Sequence, residues 1–324
     1  MDKKILLISA DKDIQTFGEQ AAREAGKSLM VVSTYKEGVE CLDTDEPSDT
    51  IVHIFKESDF FDFEKQIQER IGLYSDKLNA NNLHVISQSD LSEIQNTVHS
   101  PVFGNFIFQK IQDPVNNGKH FGRLLKFINR ERAFGLENFF DKSVKVQQVT
   151  LKLASQKQLA VEAVRKVIMS VNFKSRMASV VANAVDELLM NAIFDAPADE
   201  LGHPLFETVS RDQEMELKGK QEVTMQIGYD GTYLGVSVRD LYGSLDKSRL
   251  MTRISRRYRE EEYQVKETRA GAGIGLGTVF RLGGSLLFAS ESHVRTEVTV
   301  LFKNSSNYRE FKDQFRFFTT QFYF

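Results

Sequence analysis

Gly271-Ala272-Gly273-Ile274-Gly275-Leu276-Gly277 places four glycines within seven residues, directly before Thr278-Val279-Phe280. Glycines at this spacing let backbone N–H groups approach an anion closely, and a helix that starts after them adds the positive end of its dipole. We therefore expect Gly271, Gly273, Gly275 and Gly277 to bind phosphate. The run is not a Walker loop, because no Gly-Lys-Ser/Thr closes it, and it lacks the third glycine of a dinucleotide fingerprint.

A polar stripe lies about eighty residues upstream of these glycines. Residues 178–196 are predicted to form one amphipathic helix, because apolar residues recur at three-four spacing. Asn183, Glu187, Asn191 and Asp195 follow one another at intervals of four and are expected on one face. The face carries amides and carboxylates without Lys or Arg. A solvated face is the alternative, but oxygen ligands of this kind suit Mg²⁺.

A predicted strand between these two features ends in a carboxylate. Val236-Ser237-Val238-Arg239-Asp240 alternates as a strand, and Leu241-Tyr242-Gly243 follows with a turn glycine. An Asp at the end of a strand can accept a hydrogen bond from the exocyclic amine of a base.

These pieces, in this order, resemble the ATP-binding domain shared by histidine kinases, anti-sigma-factor serine kinases, gyrase-type ATPases and one class of heat-shock chaperones. Glu187-Leu188-Leu189-Met190-Asn191 resembles the N box of that family, and Asp240-Leu241-Tyr242-Gly243 resembles its first glycine box. The run from Gly271 to Gly277 resembles the second glycine box. Arg295-Thr296 stands where the family usually has Gly-Thr at the entrance of a later strand. The resemblance covers roughly residues 140–305.

Two residues depart from the family pattern. Ser244 replaces the second glycine of the first box, and Arg295 replaces the glycine before Thr296. Neither departure removes Asn191 or Asp240.

The resemblance implies a cofactor, Mg-ATP, and a role for each residue. Glu187 would act as general base or position a water, Asn191 would bind Mg²⁺ between the phosphates, and Asp240 would read adenine. The other expected nucleotide-binding residues are Asp195, Gly243, Gly271, Gly273, Gly275, Gly277 and Thr296. The resemblance to anti-sigma kinases suggests a Ser or Thr of a partner protein as phosphoryl acceptor. The competing interpretation is a non-catalytic, nucleotide-gated binding module that controls a partner, and a purely structural role ranks third.

Residues 1–128 show strands alternating with helices, a pattern that predicts a doubly wound parallel sheet of five strands. The pattern resembles the receiver domain of bacterial response regulators, with Ser87 and Lys110 at the positions of the switch hydroxyl and the lysine. Phosphorylation of a receiver needs two acidic residues after the first strand and an Asp at the end of the third. Ser9-Ala10 occupy the first place and Ile54 or Phe55 the second. We therefore expect a non-phosphorylatable pseudo-receiver that makes protein contacts.

The remaining segments complete a two-domain α/β organisation. Residues 129–143 are expected to be a connector, 144–305 the ATP-binding domain, with a mixed, mainly antiparallel sheet, and 306–324 an aromatic end. The connector holds no histidine, which disfavours a histidine autokinase. Five cations of the predicted lid, residues 244–270, are candidate phosphate contacts: Arg249, Arg253, Arg256, Arg257 and Lys266. The aromatic end is expected to pack on its own fold or on a second copy, which leaves a homodimer open.

Composition narrows the class of protein. A net charge of −3 over 324 residues gives no field for general nucleic-acid binding. A single cysteine, Cys41, excludes an internal disulfide and a thiolate zinc cluster. No apolar stretch is expected to span a bilayer, and no signal sequence is apparent. We therefore expect a cytoplasmic bacterial signalling protein that binds ATP and a regulatory partner protein, but neither nucleic acid nor membrane.

Overall fold

The structure, a computed structural model, describes residues 3–89, 95–108, 113–128, 133–206, 208–211, 213–247, 250, 279–280 and 282–323. Contacts divide the chain into two compact units. The first unit is Met1–Arg132 with Phe315–Thr320, and the second is Ala133–Gln314 with Gln321–Phe324. The connector expected over residues 129–143 therefore belongs to the second unit from Ala133 onward. The aromatic end is divided between the two units.

The first unit is built on a parallel sheet. Its strands are β1 (Lys4–Ile8), β2 (Ser28–Val32), β3 (Asp49–His53), β4 (Leu83–Ser87) and β5 (Asn105–Phe108). They pair in the order β2-β1-β3-β4-β5, with all neighbours parallel. Helices alternate with them: α1 (Lys12–Ala25), α2 (Tyr35–Thr44), α3 (Glu57–Arg70), α4 (Gln95–His99) and α5 (Pro114–Phe127). The predicted α/β class and the parallel, helix-alternating strands are confirmed.

Local signals set the helix ends in this unit. Asp11 caps α1 by accepting from the backbone N–H groups of Asp13 and Ile14, and Gly26 ends it in the left-handed region at φ 69°. The third helix is shorter than predicted. We expected it to run from about Phe60 to Lys77, but it ends at Arg70 because Gly72 adopts φ 88°. The short helix expected around Leu91 lies outside the described residues.

The aromatic end forms the last strand, β11 (Arg316–Tyr323), after a short helix, α8 (Tyr308–Asp313). Residues 316–319 of β11 pair antiparallel with β5. Phe317 and Phe318 are buried, and the Phe318 ring lies 6.4 Å from that of Phe106. The end of the chain thus packs on its own fold, as a strand.

The second unit is built on an antiparallel sheet. Its strands are β6 (Gln147–Leu151), β7 (Val223–Tyr229), β8 (Tyr233–Asp240), β9 (Ser285–Glu291) and β10 (Arg295–Lys303). They follow the order β9-β10-β8-β7-β6. Two helices, α6 (Gln156–Ser170) and α7 (Ser175–Met190), precede β7 and bury their apolar faces. β8 ends at Asp240, as the alternating pattern predicts.

The segment Ser175–Asp195 contradicts the expectation that no apolar stretch is long enough to span a bilayer. Ser175–Asp195 is long and apolar enough to cross a membrane by length and composition alone, with a mean hydropathy of 1.3. In the structure, 72% of that window is buried inside the protein. Packing against the sheet of its own unit therefore accounts for this apolar character.

The packing of β11 generates a prediction for stability. Phe318→Ala should lower the unfolding free energy of the first unit by about 3–5 kcal/mol, because a fully buried ring is lost beside β5. Phe61→Ala, which removes a ring that is 49% exposed, is the matched control and should cost less than about 1 kcal/mol. Denaturant unfolding followed by circular dichroism measures both. Equal losses of unfolding free energy in the two variants would contradict the packing of β11 in the core of the first unit.

Candidate functional site

The helix that carries the polar stripe changes its geometry at Asn191. α7 ends at Met190, and Asn191–Asp195 form a π turn in which the Ala196 N–H donates to the Asn191 carbonyl at 2.8 Å. Glu187 and Asn191 keep the helical spacing and are half-buried. Asp195 lies beyond the wider turn, is exposed, and pairs with Arg211 at 3.3 Å. The straight stripe predicted over residues 183–195 is therefore interrupted before its last member.

A hydrogen bond ties this π turn to the strand that ends in Asp240. The Ser244 hydroxyl donates to the Ala196 carbonyl at 2.7 Å. Ser244 lies four residues after Asp240, and Ala196 directly follows the turn that Asn191 begins. The predicted metal-binding and base-binding segments therefore meet in one region of the second unit.

Asp240 is buried at the end of β8 without a cationic partner among the described residues. Backbone N–H groups of Tyr242, Gly243 and Thr296 donate to it, and the bond from Tyr242 measures 2.9 Å. Burial raises the pKa of the Asp240 carboxyl to about 6, and these N–H groups oppose that shift. The carboxyl is therefore largely ionised near neutral pH, with backbone N–H groups but no described cation beside it.

Gly243 allows the chain to pass close to the turn between β9 and β10. Its φ is 60°, and an added Cβ would lie 2.1 Å from the Glu291 carbonyl oxygen. Its own carbonyl accepts from the His293 N–H at 3.3 Å. A larger residue cannot occupy this position without moving backbone.

Thr296 lies directly opposite Asp240 in the β8–β10 register. Its side chain is buried, and its hydroxyl has no hydrogen-bond partner within the part of the chain that the structure describes. A buried hydroxyl without a partner is costly, so a ligand that bonds to it would recover free energy. Asp240 and Thr296 together offer an acceptor and a hydroxyl at one point of the sheet.

Lys247 is a residue that the sequence reasoning missed. It is half-buried after the first glycine box, and burial lowers the pKa of its ammonium to about 8. Nothing in the local pattern distinguishes it from the neighbouring cations, because the shift comes from tertiary burial. The lid cations named above and the run Gly271–Gly277 lie outside the described residues.

The carboxyl edge of the parallel sheet holds a Ser–His pair where a receiver would hold acids. Ser9 follows β1, His53 ends β3, and the Ser9 hydroxyl lies 3.0 Å from His53 Nδ1. Burial lowers the pKa of the His53 imidazole, so the ring is neutral near pH 7. β3 ends at His53, one residue before Ile54 and two before Phe55, the positions that we had assigned to its end. Within the described ranges, no group of three His, Cys, Asp or Glu side chains could hold a metal ion.

Two acidic residues near this edge serve as helix caps. The Asp11 carboxylate accepts from backbone N–H groups at the start of α1. The Asp59 carboxylate accepts from the N–H groups of Phe55 and Lys56 at 3.1 and 3.0 Å, before α3. Both carboxylates therefore have a local structural role.

The raised pKa of Asp240 generates a prediction for stability. Its folded value, about 6, exceeds the ordinary value of an unfolded Asp, so the folded state binds the proton more tightly. This contribution to stability is complete below the unfolded pKa and is lost as the pH rises through about 6. Relative to Asp240→Asn, the unfolding free energy of the unmodified protein should fall by up to about 1.4 kcal/mol per pH unit between about pH 4 and 6. Denaturant unfolding at a series of pH values measures both proteins. If their unfolding free energies change with pH in the same way, the raised pKa of Asp240 is refuted.

No protein-family model matches this chain, and no curated protein matches it. Among solved structures, a de novo designed protein with a Rossmann 2x3 fold, determined by solution NMR, is similar. It is 19% identical, covers 37% of this chain and 89% of its own, and superposes with a TM-score of 0.28. This similarity carries no argument about function.

Proposed function

We propose that the second unit binds Mg-ATP at the site built by Glu187, Asn191, Asp240 and Thr296, in a Bergerat-type fold of the histidine-kinase-like family. The observation that carries the proposal is the environment of Asp240, a buried carboxyl stabilised by backbone N–H groups and by no cation among the described residues. Such a group can accept a hydrogen bond from a neutral amine at little cost. The exocyclic amine of adenine is a ligand group of this kind.

The orphaned Thr296 hydroxyl supports the same site. It lies across from Asp240 and needs a hydrogen-bond partner that the described protein atoms do not supply. A ligand that bonds to Asp240 would therefore also lie close to the Thr296 hydroxyl. The pair therefore favours a ligand with both a donor and an acceptor, as on the edge of a purine base.

The π turn supports the metal side of the site. Asn191 begins the turn and Glu187 lies one helical turn before it, so an amide and a carboxylate lie on the segment that Ser244 connects to the strand end of Asp240. Turns of this type occur often at functional sites. When bound, Mg²⁺ would neutralise phosphate charge, with Asn191 as its ligand and Glu187 positioning a water or hydroxyl. The glycines from Gly271 to Gly277 would hold the phosphates through their backbone N–H groups.

The reaction that we propose is phosphoryl transfer to a Ser or Thr of a partner protein, because the sequence resembles the anti-sigma kinases. The first unit would serve protein contacts, since Ser9 and His53 occupy the edge where phosphorylation would require acids. Incubation with ATP labelled on its γ-phosphate and with candidate partners tests transfer and release. Tight binding without either would make the second unit a nucleotide-gated binding module.

The metal assignment predicts the effect of removing one amide. Asn191→Ala should abolish Mg-dependent ATP binding and leave the fold intact, because Asn191 is half-buried and its side chain is proposed to contact the ion. Asn96→Ala, the same change at an exposed position of α4 in the first unit, is the control and should bind normally. Calorimetry measures both affinities. Unchanged affinity in Asn191→Ala would remove the residue from the site.

The base assignment predicts a preference for adenine over guanine. Guanine presents a carbonyl where adenine presents its amine, so two acceptors would face each other at Asp240. Asp240→Asn should weaken ATP binding, and the unmodified protein should bind ATP at least about tenfold tighter than GTP. Competition binding with the two nucleotides provides the measurement. Equal affinities would count against the proposed pocket.

A further inference from the structure

The segment Ala133–Phe140, here called the clamp, is held on the antiparallel sheet by buried hydrogen bonds. The Gly135 N–H donates to Glu297 Oε1 at 2.9 Å, and the Leu136 N–H donates to Gln226 Oε1 at 2.8 Å. Glu297 and Gln226 are themselves buried, on β10 and β7. The bonds place the backbone of the clamp directly against two strands.

The surface of the sheet is shaped for this segment. A Cβ on Gly228 would lie 2.8 Å from the ring of Phe140, and one on Gly235 would lie 2.8 Å from Leu136 Cδ1. The two glycines face each other in the β7–β8 register. Any larger side chain at either position would meet the clamp, so the sheet is complementary to it in shape as well as in polarity.

The clamp contacts the neighbours of the proposed nucleotide residues. Thr296 lies between Arg295 and Glu297 on β10, and successive side chains of a strand point to opposite faces. The Arg295 guanidinium lies 3.9 Å above the ring of Phe134. Glu297 bonds the clamp backbone at Gly135. The residues on both sides of Thr296 are therefore fixed by the clamp.

On β8, too, the neighbour of a proposed nucleotide-binding residue is linked to the clamp, here through Glu297. Arg239 directly precedes Asp240, and its Nε donates to Glu297 Oε2 at 2.6 Å. In the register, Arg239 pairs with Glu297 and Asp240 pairs with Thr296. One cross-strand pair faces the clamp, and the next faces the proposed base pocket.

We propose that the clamp is a positioning element of the nucleotide site. Through Arg295, Glu297 and Arg239 it fixes the backbone on which Asp240 and Thr296 stand, so that clamp docking and Mg-ATP binding favour each other. The inference rests on the proposed function. The clamp begins directly after Arg132, the last residue of the first unit's main segment.

Reciprocity provides a test that needs no mutation. If docking of the clamp favours Mg-ATP, Mg-ATP must favour docking by the same factor. Hydrogen–deuterium exchange of the full-length chain should therefore show slower exchange of the amides of residues 133–140 when Mg-ATP is saturating. Unchanged exchange with nucleotide demonstrably bound would overturn the coupling.

Two variants test the reverse direction. Glu297→Gln removes the charge that pairs with Arg239, and Phe134→Ala removes the ring under Arg295 while leaving the sheet unchanged. Each should speed exchange in the clamp and weaken Mg-ATP binding at least about fivefold, the lower end of typical couplings. Glu216→Gln, the same chemical change in an exposed ion pair with Lys218, should do neither.

The outcomes separate this inference from the proposed function. An unmodified protein that does not bind Mg-ATP overturns both. Mg-ATP binding that is equal in the unmodified protein, Glu297→Gln and Phe134→Ala overturns the coupling alone. A merely structural clamp would lower the melting temperature in the variants without changing their affinity for Mg-ATP, and that result would also overturn the proposal.

Discussion

The burial of Asp240, with no cation beside it in the part of the chain that the structure describes, constrains much of the second unit. Burying a carboxyl is costly, and the chain compensates with backbone N–H groups, which requires the turn after β8 and the start of β10 to lie where they do. Gly243 allows that turn to approach Glu291, and Ser244 connects it to the end of the α7 segment. The position of one acid thus constrains a strand end, a turn and a helix end together. Constraint of this kind is expected of a binding site, since a purely structural position could be filled by an apolar residue.

Strong local signals account for the part of the fold that could be predicted. The end of α1 follows from Gly26 in the left-handed region, and the turn between β7 and β8 follows from Asp230-Gly231, with Gly231 at φ 92°. The π turn at Asn191 could not be predicted, because its residues continue the apolar spacing of α7. The pairing of β11 with β5 joins residues about 210 positions apart, and no local pattern identifies the partner.

In the candidate site, too, the residues with local sequence signals could be predicted, and those that depend on tertiary packing could not. Asp240 and Gly243 follow from a strand that ends before a turn glycine, since both signals are local. The isolation of the Thr296 hydroxyl, the burial of Lys247 and the pairing of Asp195 with Arg211 depend on tertiary packing. In the first unit, the sequence indicates that Ser9 and Ala10, and not two acids, directly follow β1. It does not indicate that Ser9 and His53 bond to each other there, because the two residues are 44 positions apart.

The two residues that depart from the resembled sequence pattern, Ser244 and Arg295, both have structural partners. Ser244 stands where a glycine was expected, and its hydroxyl bonds the carbonyl of Ala196, which a glycine could not do. Arg295 also replaces a glycine, and its guanidinium covers Phe134 and pairs with Glu291. Each substitution adds a side chain that connects a proposed nucleotide-binding strand to a neighbouring segment. Ser244 follows the turn after Asp240 and Arg295 directly precedes Thr296 on β10, so both side chains tie segments next to these two residues to other parts of the second unit.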